Sequence, residues 1–255
     1  MKIEISSQLQ SAYDEQYTDD LLKWRDLGAR YKAQNILDVC RSILPVQRVL
    51  DVGAGEGSIL LHLDQQPFAA EFYAVEISRS GVEMIKRRGI TKLKEVQHFN
   101  GYQLPYPNDH FDLVILSHVL EHVEYPRLLL RELSRVSRYQ VIEVPLDFAF
   151  NIDERVEKLL AYGHINIYTP ALLRFLLKAE GFRIVSGKTS LTSRDVMEYN
   201  WFINQKHPRT WRSRLRLNRY LWRKDLRRWL ARHKDIMADA YTVLTEKSAE
   251  SLKIF

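Results

Sequence analysis

The sequence predicts an α/β protein built on a doubly wound, seven-stranded, mostly parallel sheet. Three observations predict it. Short apolar, β-branched runs alternate with helical patterns between residues 48 and 186, the pattern of a parallel sheet covered on both faces. A glycine-rich turn joins the first run to the helix that follows, at the sheet end where such folds bind ligands. A composition of 45% hydrophobic and 27% charged residues over 255 positions is that of a globular chain, neither fibrous nor disordered.

Taken in order, residues 8–44 carry apolar positions at helical spacing, with aromatic entries at Tyr13, Tyr17, Trp24 and Tyr31, and Pro45 ends them. Residues 48–52 read as a buried strand, and 58–63 start the next helix. Residues 71–76 form a second strand, followed by a helix over 80–88 that Gly89 stops. Strands three and four fall at 93–99 and 111–116, a helix at 126–136, and strand five at 139–144, halted by Pro145. Thr169 and Pro170 supply a cap and a first-turn proline for a helix ending at Glu180 and Gly181. A sixth strand begins at 182–186, and 240–245 alternate like a seventh. Two irregular zones, 146–168 and 187–238, interrupt the pattern; the first follows strand five, where an insertion is placed to touch a ligand.

Bulk properties exclude several classes. No apolar run approaches the roughly 20 residues that cross a bilayer, and residues 1–7 do not lead into a signal-peptide core, so a cytoplasmic address is expected. The one cysteine, Cys40, excludes an intrachain disulfide and sits in a helical pattern as a small buried apolar residue. The net charge of +6 is concentrated: residues 200–235 hold twelve Lys or Arg against two Asp, so the remainder is net negative.

The turn reads Asp51-Val52-Gly53-Ala54-Gly55-Glu56-Gly57. Glycines there permit a tight turn and close backbone approach, and the following helix offers free N–H groups. Glu76 ends the second strand, where an acid can accept from two ribose hydroxyls. Asn100 ends the third, where an amide can read an adenine edge. Three successive strand ends therefore suit a nucleotide-like ligand. A dinucleotide is disfavoured because the spacing is GxGxG rather than GxGxxG, and because Asp51 repels a pyrophosphate while attracting an ammonium.

With Val49 and Leu50 before it, this loop resembles the first motif of class I S-adenosylmethionine-dependent methyltransferases of the small-molecule type, and Glu76 matches their ribose ligand. Phe111-Asp112-Leu113-Val114 and Ser117-His118-Val119-Leu120-Glu121-His122-Val123 resemble the fourth strand and its turn. Gly163-His164-Ile165-Asn166, Tyr168-Thr169-Pro170 and Ala179-Glu180-Gly181-Phe182 resemble the later part. The resemblance implies a Rossmann-like methyltransferase fold forming one domain: a helical cap (1–44), a cofactor-binding core (45–186), a basic helical insertion (187–238), and a last strand with its tail (239–255). It implies S-adenosyl-L-methionine as cofactor, with Gly53, Ala54 and Gly55 against its methionine part and Asp51 near its amino group. Glu76 would hold the ribose, Ile77, Asn100 and Gly101 would flank the adenine, and Ser117 and His118 would line the wall by the sulfonium. Asn100 departs from the Asp more usual there.

Transfer to a hydroxyl benefits from a general base, and His122 and His164 are the candidates. Glu143, inside a predicted strand, reads first as half of an ion pair. No His/Asp spacing resembles a metal-ligand set, so no metal is expected. The expected acceptor is a small or lipid-linked molecule, such as a sugar or glycan hydroxyl; RNA, or a catalytically silent module that recruits a partner, are the alternatives.

The basic segment contains four of the five tryptophans. Trp211, Leu215, Trp222, Leu226, Trp229 and Leu230 approximate one helical stripe, with Arg212, Arg216, Arg219, Arg223 and Arg227 on other faces. Three readings stand: a cap packing that stripe over the sheet or active site, a helix lying on an anionic membrane, or a nucleic-acid patch.

Overall fold

The computed structural model describes residues 19–148, 152–230 and 238–248. Tyr13, Tyr17 and the tail beyond 248 lie outside the described residues, as do the side chains of Arg227 and Leu230. Seven strands form one sheet: β1 (Val46–Val52), β2 (Ala69–Glu76), β3 (Leu93–His98), β4 (Phe111–Ser117), β5 (Ser137–Pro145), β6 (Phe182–Ser190) and β7 (Ala240–Lys247), in the order β3-β2-β1-β4-β5-β7-β6. Every pairing from β3 to β5 is parallel; β7 alone runs antiparallel, inserted between β5 and β6. The doubly wound, mostly parallel sheet expected from the sequence is present.

Eight helices are described: α1 (Asp19–Cys40), α2 (Ser58–Asp64), α3 (Arg79–Arg87), α4 (Pro126–Val136), α5 (Val156–Ala161), α6 (Pro170–Ala179), α7 (Arg194–Tyr199) and α8 (Trp211–Leu230). Successive residues of a strand point to opposite faces, and the core divides accordingly. Val114 and Leu116 of β4 join Leu129, Leu130, Leu133, Leu173 and Leu177 from α4 and α6. Leu113 and Ile115 face the other way, onto Ile36 and Cys40 of α1, Leu60 and Leu63 of α2 and Ile85 of α3. Cys40 is fully buried there and burial pushes its thiol up to about 12, as befits an apolar core residue.

Local chemistry sets the boundaries. Thr169 caps α6 by accepting from the Leu172 amide at 3.1 Å, and Pro170 opens it. The cap of α3 is Ser78, whose hydroxyl accepts from the Gly81 amide at 3.1 Å, so that helix starts slightly earlier than its periodicity implies. Strand β6 runs longer than expected because β7 pairs with it from Phe182 to Ser190, and β5 is extended at its start by Ser137 pairing with Phe111 of β4 and at its end by Pro145 pairing with Ala240.

The basic helix α8 corrects one expectation. Its packed face is Ser213 and Leu217, 6% and 3% exposed, with Lys224 on the same side bonded to Asp239 at 2.6 and 2.7 Å. Trp211, Trp222 and Trp229 are 71%, 62% and 75% exposed, and Leu215 and Leu226 also face outward. At 100° per residue the two stripes lie on opposite sides of the helix. The apolar stripe therefore does not pack over the sheet; a narrower, partly polar stripe holds the helix down, with Trp201 donating to the Ser213 hydroxyl at 3.0 Å.

Candidate cofactor and acceptor site

A cavity of about 680 Å³ opens at the carboxyl ends of β1, β2, β4 and β5, where β1 and β4 diverge in chain order and leave a crevice. Gly53, Gly55 and Gly57 have φ of 71°, 60° and 82°, so the loop uses a left-handed backbone that side chains disfavour. A Cβ on Gly53 would stand 2.6 Å from Val119 Cγ2, so the loop also lies tight against the turn after β4.

Glu76 is buried and accepts from the Gly55 amide at 2.8 Å and the Ser78 amide at 3.0 Å, which fixes its carboxylate beside the loop. Burial outweighs those bonds and pushes its pKa up to about 7. Asp51, 2% exposed, is also raised to about 7, by burial first and then by Glu76. Its Oδ2 has no hydrogen-bond partner. A buried acid in that state favours a cationic ligand that restores its charge. A glycine cradle, a ribose-type acceptor and an acid wanting a cation fit the methionine chain, ribose and ammonium group of S-adenosylmethionine.

The predicted residues divide. Gly53, Ala54, Gly55, Glu76, Ile77, Gly101, Ser117, His118, His122 and His164 all line the cavity. Asp51, buried under the loop, and Asn100 are not among the residues lining the cavity. The Asn100 side-chain oxygen accepts from the Tyr102 and Gln103 amides at 3.1 and 2.8 Å, so that oxygen shapes the turn that presents Gly101.

At the candidate acceptor end, His118 adopts φ 56° and bridges two acids, with Nε2 3.3 Å from Glu143 and Nδ1 3.5 Å from Glu121. Glu143, fully buried, also accepts from Ser117, Asn35 and Thr242. Burial alone would raise its pKa, but His118, Lys32 and Thr242 outweigh that and hold it below the usual range. His122 Nδ1 donates to the Gly163 carbonyl at 2.9 Å, and burial lowers its pKa. His164 Nδ1 donates to Asp147 at 2.7 Å, and that bond raises its pKa. The two rings meet edge to face, 4.9 Å between centroids. They are locked together because the Ile165 and Asn166 amides donate to the Glu121 carbonyl at 2.9 and 3.0 Å.

Helix α1 supplies wall residues that the sequence pattern does not mark as site residues: Trp24 and Tyr31, noted there only as helical aromatics, and Arg25, Lys32 and Asn35. Desolvation lowers the Lys32 pKa against the pull of Glu143, Glu121 and Glu56. A stretch of ordinary amphipathic helix gives no sign that its polar residues cover a site.

Fold and site together define a class I S-adenosylmethionine-dependent methyltransferase. A model of the methyltransferase domain family matches residues 13–187, and the chain belongs to that family. An uncharacterized protein of Methanocaldococcus jannaschii, MJ1123, is 23% identical over 184 residues, 69% of this chain and 84% of that protein. Demethylmenaquinone methyltransferase of Geobacillus kaustophilus is 30% identical over 125 residues, covering 46% of this chain and 48% of the relative. Apart from MJ1123, the chain thus spans about half or less of the curated relatives it matches. Among solved structures, magnesium protoporphyrin IX methyltransferase of Synechocystis with bound S-adenosylhomocysteine superposes with a TM-score of 0.56 at 15% identity, covering 94% of this chain and 93% of that one.

Proposed function

We propose that this enzyme methylates a hydroxyl of a small or lipid-linked acceptor, a sugar or glycan among the candidates. One observation carries the reading: a single cavity joins the glycine loop and Glu76 to an anchored histidine pair, His122 and His164. Bound S-adenosylmethionine supplies a methyl group already activated on a sulfonium. What remains for the protein is alignment, exclusion of water and removal of the acceptor proton. In this reading Gly53, Ala54 and Gly55 seat the methionine part, Asp51 offsets its ammonium from behind the loop, and Glu76 takes the ribose hydroxyls. Ile77 and Gly101 flank the adenine with Asn100 holding the turn, and Ser117 and His118 form the wall beside the methyl. His122 and His164 activate the acceptor oxygen: a carbonyl and a carboxylate only accept, so each ring carries its proton on Nδ1 and offers the Nε2 lone pair.

The outward tryptophans of α8 favour a membrane-bound source for that acceptor. Trp211, Trp222 and Trp229 are exposed beside Arg212, Arg216, Arg219 and Arg223, also exposed, an arrangement suited to the interface of an anionic bilayer. No described helix is long and apolar enough to cross a membrane, so the contact would be peripheral. Incubation with methyl-labelled cofactor and fractionated cell extract tests the acceptor. Label in lipid or glycan supports the proposal, and label confined to RNA or protein overturns it.

A further inference from the structure

Glu121, His122 and His164 present one carboxylate oxygen and two ring nitrogens that all lie within 4.8 Å of one another. Glu121 is 1% exposed, and neither of its oxygens has a hydrogen-bond partner. The ring nitrogens within 4 Å, His118 Nδ1 at 3.5 Å and His122 Nε2 at 3.8 Å, leave that buried carboxylate poorly compensated. The two imidazoles are arranged in a complementary way. His122 Nδ1 donates to a backbone carbonyl and His164 Nδ1 to the Asp147 carboxylate. That is the outer shell that metal-bound histidines use to fix their tautomer and strengthen Nε2 as a ligand.

We propose that Glu121, His122 and His164 bind a divalent transition-metal ion of the zinc or manganese kind at the acceptor end of the cavity. Two imidazoles and one carboxylate with an open position on the cavity side suit such an ion, and a catalytic zinc site of that ligand composition has general precedent. A tetrahedral site on bonds of 2.0–2.1 Å has an edge of about 3.3 Å, so the ion draws the three side chains inward. Asp147, bonded to His164, and Glu143, 3.3 Å from His118, add negative charge near it, while Lys32 opposes it. The ion's role rests on the reading of this end as the acceptor site. A hydroxyl bound to the ion passes its proton to solvent water. Its oxygen then forms the O–C bond as the C–S bond breaks, and that electron pair stays on sulfur. Activation by the ion thereby replaces direct proton transfer to an imidazole.

The test uses the untagged full chain, stripped by chelator and titrated with Zn²⁺ and Mn²⁺ by calorimetry, with the metal content of dialysed protein measured in parallel. The expected result is one ion per chain. Affinity should fall by on the order of a hundredfold in Glu121→Gln and His164→Ala, and by roughly 10–100-fold in Asp147→Asn. S-adenosylhomocysteine binding, retained in all three variants, reports that they fold. Absence of a stoichiometric ion in the unmodified protein, or equal affinity in the variants, overturns the site. Methyl transfer that persists without a bound ion removes the ion and leaves the proposed function standing. Failure to transfer label to any lipid or glycan, with the ion bound, removes the acceptor reading instead.

Discussion

Cofactor binding should depend steeply on pH around neutrality, because two buried acids at the site titrate there. Asp51 and Glu76 are each raised to about 7. The groups acting on Asp51 are Glu76, Lys32 and Glu56; on Glu76, the amides of Gly55, Ser78 and Ile77, and Glu56. The ammonium and ribose of the ligand favour ionised acids, so binding strengthens as pH rises through 7. About nine-tenths of such a group is ionised at pH 8 and one-tenth at pH 6. Affinity for S-adenosylhomocysteine should therefore fall roughly tenfold over that interval if one acid must ionise, and towards a hundredfold if both must. Stability of the ligand-free protein has the opposite sign. A folded-state pKa above the unfolded one means that the native state holds more protons between about pH 4 and 7, so this contribution is intact below pH 4 and is lost as pH rises to 7. For Asp51, raised from 3.8 to about 7, it is on the order of 4 kcal/mol. Calorimetric titration at pH 6, 7 and 8 and denaturant unfolding at pH 5 and 8 measure the two arms. Asp51→Asn should flatten both. A dissociation constant constant within twofold from pH 6 to 8 would refute the account of these acids.

Glu76→Ala should weaken S-adenosylhomocysteine binding at least tenfold, since hydrogen bonds to a charged group contribute about 1.5–3 kcal/mol each; Glu76→Gln should lose less. Gly53→Ala forces a side chain into a left-handed backbone and onto Val119. Loss of at least about 1–2 kcal/mol in denaturant unfolding is expected, partly recovered by adding Val119→Ala, and unchanged stability would contradict the close approach. His164→Ala should reduce label transfer by roughly 10²–10⁴ while cofactor affinity, read by calorimetry, stays the same. Replacing Trp211, Trp222 and Trp229 together with Ala should abolish flotation on vesicles containing anionic lipid without altering the circular dichroism spectrum, and persistent flotation would count against the α8 surface.

Much of this architecture is legible in the sequence, because each element states itself locally. Val49, Leu50 and Val52 are a buried run ended by glycine; Thr169 and Pro170 are a cap and a first turn; Glu76 follows its own strand directly. Features that depend on which surface meets which were not readable. Periodicity finds an apolar stripe on α8, yet the helix packs by Ser213 and Leu217, and nothing in the pattern says which stripe a tertiary contact will use. Asn100 occupies the expected strand end, but its oxygen is taken by a turn two and three residues on. His122 and His164 are separately recognisable as candidate bases. Their meeting, and the burial of Glu121 beside them, depend on the Glu121 carbonyl accepting two amides from the strand-five insertion.

The placement of β7 gives the two halves of the cavity different histories during synthesis. The cofactor half is assembled from β1, β2 and β4, whose pairings lie within residues 46–117. Strand β6 has β7 as its one sheet neighbour, and Asp239, Ala240 and the Thr242 hydroxyl on Glu143 complete the candidate acceptor half. A ribosome must therefore release residues beyond 240 before that half exists. The donor-side pairings are thus complete in sequence by residue 117, whereas the candidate acceptor side waits for the last strand.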